Sequence, residues 1–253
     1  MKTPTIRGKV IGAGRPKTIV PIVAQTHTQI INAAIALQNV PLDFVEWRAD
    51  FFDQVTDCIA LTALLHDLRA ALSNIPLLVT YRRHVEGGNG AATPDEYAAF
   101  CQCALQSGDV DLLDIELSIG APHFAQLVST AHAATVPVVA SSHDFAKTPP
   151  TDEMVATLCK MQDGGADIAK LAVMPLGKMD LLNLFAASAI MTEQHPDTPI
   201  ITMSMGSIGQ ASRVCGGSFG SAMTFASLGT ASAPGQIALD QMNIMLDALY
   251  GNA

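Results

Sequence analysis

The chain has 253 residues, a length that suits one large domain, and no Pro/Ser-rich or charge-rich stretch resembles a linker. A net charge of -9 argues against nucleic acid as a partner, and the lack of any run of about 18 apolar residues argues against a membrane span. Apolar residues make up 49% of the chain and charged residues 15%, so we predict a well-buried core. Residues 1–14 lack a continuous apolar stretch, so we expect no signal peptide and a soluble, cytoplasmic protein.

Short apolar runs typical of strands alternate with longer segments of helical period, which is the pattern of parallel β/α units. Strands are predicted at residues 18–24, 43–48, 77–82, 112–116, 136–141, 167–173, 200–205 and 222–228. Helices are predicted between them at residues 28–38, 59–73, 94–107, 122–133, 151–164 and 178–195.

About eight strands in a chain of this length predict an α/β fold, a closed (β/α)8 or TIM barrel forming a single catalytic domain over residues 1–253. Residues 11–16 resemble a turn, and a short N-terminal hairpin is expected to close one end of the barrel. A doubly wound open sheet is the structural alternative. Its nucleotide-binding version is weakened because no glycine-rich phosphate-binding stretch follows an early strand.

Polar residues recur at the carboxyl ends of the predicted strands, where a barrel keeps its chemistry. The period of two places Glu46 and Arg48 together on one face of their strand. Arg82 ends the next strand, Glu86 follows in a glycine-containing loop, and His143 comes just past a later strand. Each has a structural explanation when taken singly, such as an ion pair or a hydrogen-bonded loop histidine. Their recurrence at one end of successive strands indicates a site.

Lys170 lies inside the apolar run of residues 166–174, so its side chain is expected to have almost no polar neighbours. A free lysine has a pKa near ~10.4, and apolar burial beside other cations is the known way to obtain the neutral amine that attacks a carbonyl. A lysine near the end of an apolar run can also extend to the surface. The placement makes Lys170 a candidate Schiff-base nucleophile.

Further along the chain, Met203 and Met205 share one face of a predicted strand, and Arg213 follows it. Methionines at such positions are usually core residues, and the arginine alone could be an ordinary surface residue. Five cysteines, an odd number, lack the paired spacing of a metal site, so we expect reduced, structural thiols. They are Cys58, Cys101, Cys103, Cys159 and Cys215.

In this order and spacing, the motifs resemble those of the type I 3-dehydroquinate dehydratase (3-dehydroquinase) family, and the resemblance covers nearly the whole chain. It rests on residues 11–21, 46–50, 82, 86–88, 142–145, 169–175, 202–206, 212–213 and 231–236. The sequence departs from the family pattern at flanking positions such as Arg83, His84 and Val85, next to Glu86. The resemblance implies a (β/α)8 barrel, commonly a homodimer, that uses no metal and no organic cofactor.

The activity implied by the resemblance is dehydration of 3-dehydroquinate to 3-dehydroshikimate, the third step of the shikimate pathway to chorismate and aromatic amino acids. Lys170 would condense with the C3 ketone of the substrate as a Schiff base. His143 would remove the C2 proton and then protonate the departing C1 hydroxyl. Glu86 would orient the imidazole of His143 and raise its pKa.

The resemblance also assigns a set of substrate-binding residues. Arg213 would bind the substrate carboxylate, Met203 and Met205 would pack against the ring, and the segment with Ser232 and Gln236 would close over it. Glu46, Arg48 and Arg82 would form the hydroxyl-binding and electrostatic set, with the arginines favouring a neutral amine.

Three alternatives stay open at this point. A class I aldolase-type barrel shares a strand lysine but lacks support from the histidine and the closing loop. A metabolite-binding barrel without catalysis would be marked by loss of Lys170 or His143, and both are present. A metal-dependent lyase would use His84, Glu86 and His143 as ligands, although no helix carries His residues at the i, i+4 spacing of a zinc site.

Overall fold

The computed structural model describes residues 3–229 and 233–251, and its centre is a curled sheet of parallel strands. The strands are β3 (Lys17–Ile22), β4 (Phe44–Arg48), β5 (Leu77–Thr80), β6 (Leu112–Glu116), β7 (Val138–Asp144), β8 (Ile168–Val173), β9 (Ile200–Ser204) and β10 (Met223–Ser227). Neighbours in the chain are neighbours in the sheet, and β10 pairs with β3. The Ala222 N–H donates to the Ile200 carbonyl at 2.8 Å, which joins β9 to the start of β10 and closes the barrel.

Helices follow the strands around the outside, as the period of the sequence predicted. They are α1 (His27–Leu37), α2 (Cys58–Leu72), α3 (Pro94–Gln106), α4 (Ala121–Ala133), α5 (Thr151–Asp163), α6 (Lys178–Gln194), α7 (Gly206–Cys215) and α8 (Leu239–Tyr250). Sequence signals fix several starting points: Thr26 with Gln29 and Thr93 with Glu96 form capping boxes, and Asp57 accepts two backbone N–H groups of α2. The predicted (β/α)8 barrel is confirmed.

Two helices and one strand were not predicted. The helix α7 begins at Gly206 and contains Gly209, and glycine is a poor helix former, so the helical signal in this segment is weak. The helix α8 lies beyond the last strand that the sequence indicated. The strand β11 (Ile237–Ala238) extends the sheet beside β10 with only two residues, too few to give a periodic signal.

The predicted N-terminal hairpin is present and consists of β1 (Thr5–Ile6) paired antiparallel with β2 (Lys9–Val10). Both residues of its turn have positive φ, 45° at Arg7 and 81° at Gly8, a geometry that matches the twist of a tight hairpin. Ile6 and the following Ile11 are buried against the apolar inner residues of the barrel. The hairpin therefore closes the end of the barrel at which the strands begin.

Cys58 and Cys103 form a disulfide between α2 and α3, with their Cα atoms 5.9 Å apart. The prediction that all five cysteines are reduced was wrong for this pair. The two residues lie 45 positions apart in sequence, and only the side-by-side packing of the two helices brings them together. Cys101, Cys159 and Cys215 are free.

Among the described residues, none of the helices combines the length and the apolar character that crossing a bilayer requires.

Candidate active site

The side chains that point into the barrel change from apolar to polar along β4, β5, β6, β7 and β8. Near the strand starts they are apolar and buried, and two residues further on most of them are polar or charged. Phe44 is followed by Glu46, and Leu112 by Asp114, on the inward face. The same change occurs from Leu78 to Thr80, from Val139 to Ser141 and from Ile168 to Lys170. The polar layer is the floor of a pocket at the carboxyl ends of the strands.

Lys170 lies in this layer, in the middle of β8, and is 3% exposed. Its Nζ is 3.3 Å from Oδ2 of Asp114 and 3.6 Å from Oε1 of Glu46, and it stands 4.5 Å from the centre of the Phe225 ring. The expectation that Lys170 has almost no polar neighbours was therefore wrong. The neighbouring strands supply two carboxylates, which the apolar sequence on either side of the lysine could not reveal. The amine is held by opposite charges and by an aromatic face that also favours a cation.

Arg82 links most of the charged residues of this layer. One of its Nη atoms donates to Asp114 at 2.8 Å, and the other contacts Ser141 at 2.9 Å, Glu116 at 3.0 Å and Glu86 at 3.4 Å. Burial lowers the pKa of Arg82, but the three carboxylates together raise it above its ordinary value.

Burial likewise raises the pKa of Asp114, and Arg82 and Lys170 outweigh that effect and hold it below its ordinary value. Because Asp114 contacts both cations, it joins the lysine to the arginine. The floor of the pocket is therefore a paired network of ionised groups.

His143 and Glu86 form a hydrogen-bonded pair at the edge of the pocket. Nδ1 of His143 is 2.9 Å from Oε2 of Glu86, and the carboxyl group is 4% exposed. Burial raises the pKa of Glu86 to about 7, with Arg82 opposing and Glu116 adding to the rise. The pKa of His143 lies well below its ordinary value because of burial, with Arg82, Lys170 and Arg48 adding to the effect. The predicted rise in the pKa of this histidine was wrong, since burial and the three cations outweigh the single carboxylate.

Arg48 and Glu46 are fixed by partners of their own. Arg48 makes two 2.8 Å contacts with the carboxylate of Asp50, a bidentate pair. Glu46 accepts a 2.9 Å hydrogen bond from Thr80. Both therefore present their remaining polar atoms to the pocket in a defined orientation.

Arg213 differs from the other buried cations because, within residues 3–229 and 233–251, it has no carboxylate partner. It is 2% exposed and donates to the Pro234 carbonyl at 3.0 Å, its second Nη is 3.8 Å from Sδ of Met203, and its Nε makes no hydrogen bond to any described residue. Burial lowers its pKa to about 10. A buried guanidinium with spare donors is a site for an anion.

These side chains line one cleft of about 580 Å³, a volume that includes its open mouth. Every predicted site residue that the structure describes is in its wall: Glu46, Arg48, Arg82, Glu86, His143, Lys170, Met203, Met205, Arg213 and Gln236. Ser232 lies outside the described residues. Phe145, Ala172, Phe225 and Ala233 complete the wall together with Gly87.

Several residues of the charged network were missed at the level of the sequence. Asp114 and Glu116 alternate along β6, so the period of two could have placed both inside the barrel beside Glu46. Arg83 contacts Glu116 at 2.6 Å and Ser118 at 2.8 Å, and nothing in its local sequence indicated these partners. In the part of the chain described here, no group of three or more His, Cys, Asp or Glu side chains is arranged to hold a metal ion.

Comparison with known proteins identifies the family. The family model for type I 3-dehydroquinase matches residues 18–253. The 3-dehydroquinate dehydratase of Bacillus subtilis strain 168 is 45% identical over 252 residues, which covers 100% of this chain and 99% of that protein. The enzyme of Clostridioides difficile strain 630 is 42% identical, covering 97% and 96%.

Solved structures give the same result. The type I enzyme from Clostridium difficile, solved with covalently modified comenic acid, has a TM-score of 0.96 at 42% identity and covers 98% of both chains. The 3-dehydroquinate dehydratase from Enterococcus faecalis has a TM-score of 0.92 at 37% identity, covering 98% of this chain and 99% of that one. The chain therefore belongs to the type I 3-dehydroquinase family, the hydro-lyases of the shikimate pathway that dehydrate 3-dehydroquinate.

Proposed function

We propose that this chain dehydrates 3-dehydroquinate to 3-dehydroshikimate through an imine on Lys170, with His143 as general base and then general acid. The observation that carries the proposal is one pocket in which a buried amine, an imidazole and a buried arginine converge, and this arginine has no carboxylate partner among residues 3–229 and 233–251. These are the three groups that the reaction needs: a nucleophile, a proton carrier and an anchor for the substrate carboxylate.

The first step forms the covalent intermediate. Nζ of Lys170, as the free amine, adds to the C3 ketone of the substrate, and loss of the carbonyl oxygen as water leaves a C3 iminium. The iminium carries a positive charge at nearly the position of the ammonium group. Asp114 and Glu46, at 3.3 and 3.6 Å from Nζ, would therefore stabilise the intermediate as they stabilise the resting lysine.

The second step is the elimination. His143 takes the C2 proton, and the electron pair of that bond moves into the iminium to give an enamine. The enamine then expels the C1 hydroxyl, to which His143 returns a proton, so that water leaves. A second water molecule hydrolyses the product iminium and releases Lys170 as the amine.

Glu86 would hold His143 in the tautomer that can remove the C2 proton. An ionised Glu86 accepts a hydrogen bond from Nδ1–H of His143, which leaves Nε2 with a free electron pair for the C2 proton. The low pKa of His143 keeps the ring neutral at physiological pH, as a base requires.

The remaining residues would bind the substrate. We assign the carboxylate to Arg213, the hydroxyl groups to Glu46 and Arg48, and the ring carbons to Met203 and Met205. Arg82 already has four acceptors, so its role is to hold the charged network in place. Gln236 and Ser232 would cover the bound substrate and exclude water from the imine.

We also propose that the chain works as one catalytic domain, as a cytoplasmic homodimer, without a metal or an organic cofactor. These properties follow from the family resemblance.

The test is turnover of 3-dehydroquinate by the protein and by Lys170→Met, which keeps the volume of the side chain and removes the amine. The native protein should form the conjugated product, with no effect of a chelator, and the variant should lose activity by at least about 10⁴-fold. Turnover by Lys170→Met at the native rate would contradict the imine. Failure of the native protein to consume 3-dehydroquinate would contradict the substrate.

A further inference from the structure

Glu86 has two carboxylate oxygens, and the proposed mechanism uses only one of them. Oε2 faces Nδ1 of His143 at 2.9 Å and Arg82 at 3.4 Å. Oε1 accepts a hydrogen bond from the hydroxyl of Ser118 at 2.5 Å. Ser118 lies in the short 3₁₀ turn Leu117–Ile119 that follows β6, on the rim of the barrel and outside the reaction pocket.

The hydroxyl of Ser118 is held in one direction by a second residue. It accepts a 2.8 Å hydrogen bond from Nη2 of Arg83. A hydroxyl has a single proton, and with an arginine N–H on its oxygen that proton is free to donate to Glu86. The chain of contacts therefore runs from Arg83 through Ser118 to Oε1 of Glu86.

Arg83 is itself rigidly placed. Its Nε contacts Oε2 of Glu116 at 2.6 Å, and its backbone N–H donates to Oε1 of the same carboxylate at 2.8 Å. Its guanidinium lies 5.6 Å from the centre of the Tyr97 ring. The side-chain hydrogen bonds to Glu116 and Ser118, together with the aromatic face, leave this side chain little freedom.

We infer that Arg83 and Ser118 are positioning residues: through the Ser118 hydroxyl they hold Glu86 as a carboxylate with Oε2 on His143, which keeps the histidine in its base form. The inference rests on the proposed function, because it assigns His143 the role of base. Neither residue touches the substrate in this account.

The protonation state of Glu86 decides which nitrogen of His143 is free. A protonated Glu86 would donate to Nδ1, and the neutral ring would then carry its proton on Nε2, where it cannot accept the C2 proton. The ionised form accepts from Nδ1–H and leaves Nε2 free. A hydroxyl that donates to Oε1 stabilises the ionised form, since a hydrogen bond to the charged state favours that state.

Other charged groups also face Glu86 and His143, and they shift the pKa values of both residues independently of Ser118. Those facing Glu86 are Arg82, Asp114 and Glu116, and those facing His143 are Arg82, Lys170 and Arg48. All of these belong to the pocket floor or wall and cannot be altered without disturbing the site. Ser118 is at the exposed rim, so its hydroxyl can be removed alone. The pKa of Glu86, about 7, places its titration within the range in which the protein can be studied.

The experiment is an NMR titration of the His143 ring nitrogens in the ligand-free protein, for the native chain, Ser118→Ala and the conservative control Ser118→Thr. Seven histidines are present, and His143→Ala identifies the resonance. We expect the midpoint at which Nε2 loses its proton to rise by about one pH unit in Ser118→Ala, and to stay near the native value in Ser118→Thr. Arg83→Gln should shift it in the same direction by less.

A kinetic readout follows from the same change. The acid limb of the kcat/KM profile for 3-dehydroquinate should move to higher pH by the same amount in Ser118→Ala, with the high-pH plateau kept within about threefold. An unmoved His143 midpoint in Ser118→Ala would overturn the inference, as would an equal loss of activity at every pH. The NMR midpoint does not depend on turnover. If the native protein does not consume 3-dehydroquinate, the proposed function is contradicted, and the NMR titration still tests the positioning of Glu86 and His143.

Discussion

The inside of this barrel has two halves that share the same strands, and along β4 to β8 the inward side chains change from apolar to polar or charged between them. The lower half, which the hairpin closes, is built from apolar residues such as Phe44, Leu112 and Ile168, each without exposed surface. Two residues further along the same strands stand Glu46, Asp114 and Lys170, also buried. Because the backbone is the same, the difference arises from side chains alone.

The comparison indicates how the fold supports a charged site. Apolar burial in the lower half stabilises the barrel by about 25 cal/mol per Å² removed from water. Buried charges in the upper half cost stability unless they are paired, and removing one partner of a buried pair costs roughly 3 to 5 kcal/mol. Arg82 and Lys170 are paired within the chain, whereas Arg213 has no carboxylate among the described residues. We expect the substrate to supply it.

In the upper half, we expect the largest loss of turnover from His143→Ala. Loss of the proton carrier should lower kcat by about 10²- to 10⁴-fold, while Lys170 still forms the imine. Turnover and borohydride trapping measured on the same sample separate the two steps. His123→Ala on α4, a histidine paired with Asp95 away from the pocket, is the matched control and should keep native turnover. A His143→Ala variant that keeps turnover within tenfold would contradict the role of base.

In the lower half, the corresponding variant is Leu112→Ala, which should reduce stability and not turnover. Leu112 is fully buried, so the cavity should lower the free energy of unfolding by about 3 to 4 kcal/mol. Chemical denaturation measures this loss, and kcat of the folded fraction should remain near the native value. Leu176→Ala, at a side chain that is 75% exposed, should change the unfolding free energy by less than about 0.5 kcal/mol. Equal effects of the two variants would contradict the assignment of stability to the lower half.

Glu86→Gln should raise stability while it lowers activity, because the raised pKa of Glu86 is unfavourable for folding. The unfolded chain ionises near the ordinary value of 4.5, whereas the folded protein keeps the proton up to about pH 7. Stability is therefore lost as the pH rises from 4.5 to 7, and the whole cost is present above pH 7.

The variant should thus be more stable than the native protein by roughly 3 kcal/mol at pH 8, and by much less at pH 5. Denaturant titrations at the two pH values measure the difference. A gain that is the same at pH 5 and pH 8 would mean that titration of Glu86 is not its cause.

The smallest of these effects is expected at Arg213. Arg213→Ala removes the proposed carboxylate anchor and should raise KM for 3-dehydroquinate about 30-fold, which corresponds to roughly 2 kcal/mol, with a smaller change in kcat. Arg7→Ala, at a partly exposed arginine near the hairpin, is the control. An unchanged KM in Arg213→Ala would show that this residue does not bind the substrate carboxylate.

The sequence predicted most of the fold because strands and helices of a barrel follow strict periods, and the bounds of six helices agree with prediction to within about two residues. It also predicted the positions of Lys170 and His143, since each stands out from an apolar strand. Asp114 and the disulfide of Cys58 with Cys103 were missed because they depend on pairing between distant segments. The low pKa of His143 depends on burial and on three cations, Arg82, Lys170 and Arg48, that come from distant parts of the chain, which local sequence does not encode.

In the proposed mechanism, Lys170 bonds covalently to the substrate. The most direct test is intact mass after incubation with 3-dehydroquinate and borohydride, followed by peptide mapping of any adduct. We expect one reduced adduct on Lys170 that appears together with loss of activity. Consumption of 3-dehydroquinate without an adduct, or an adduct confined to another lysine, would contradict it.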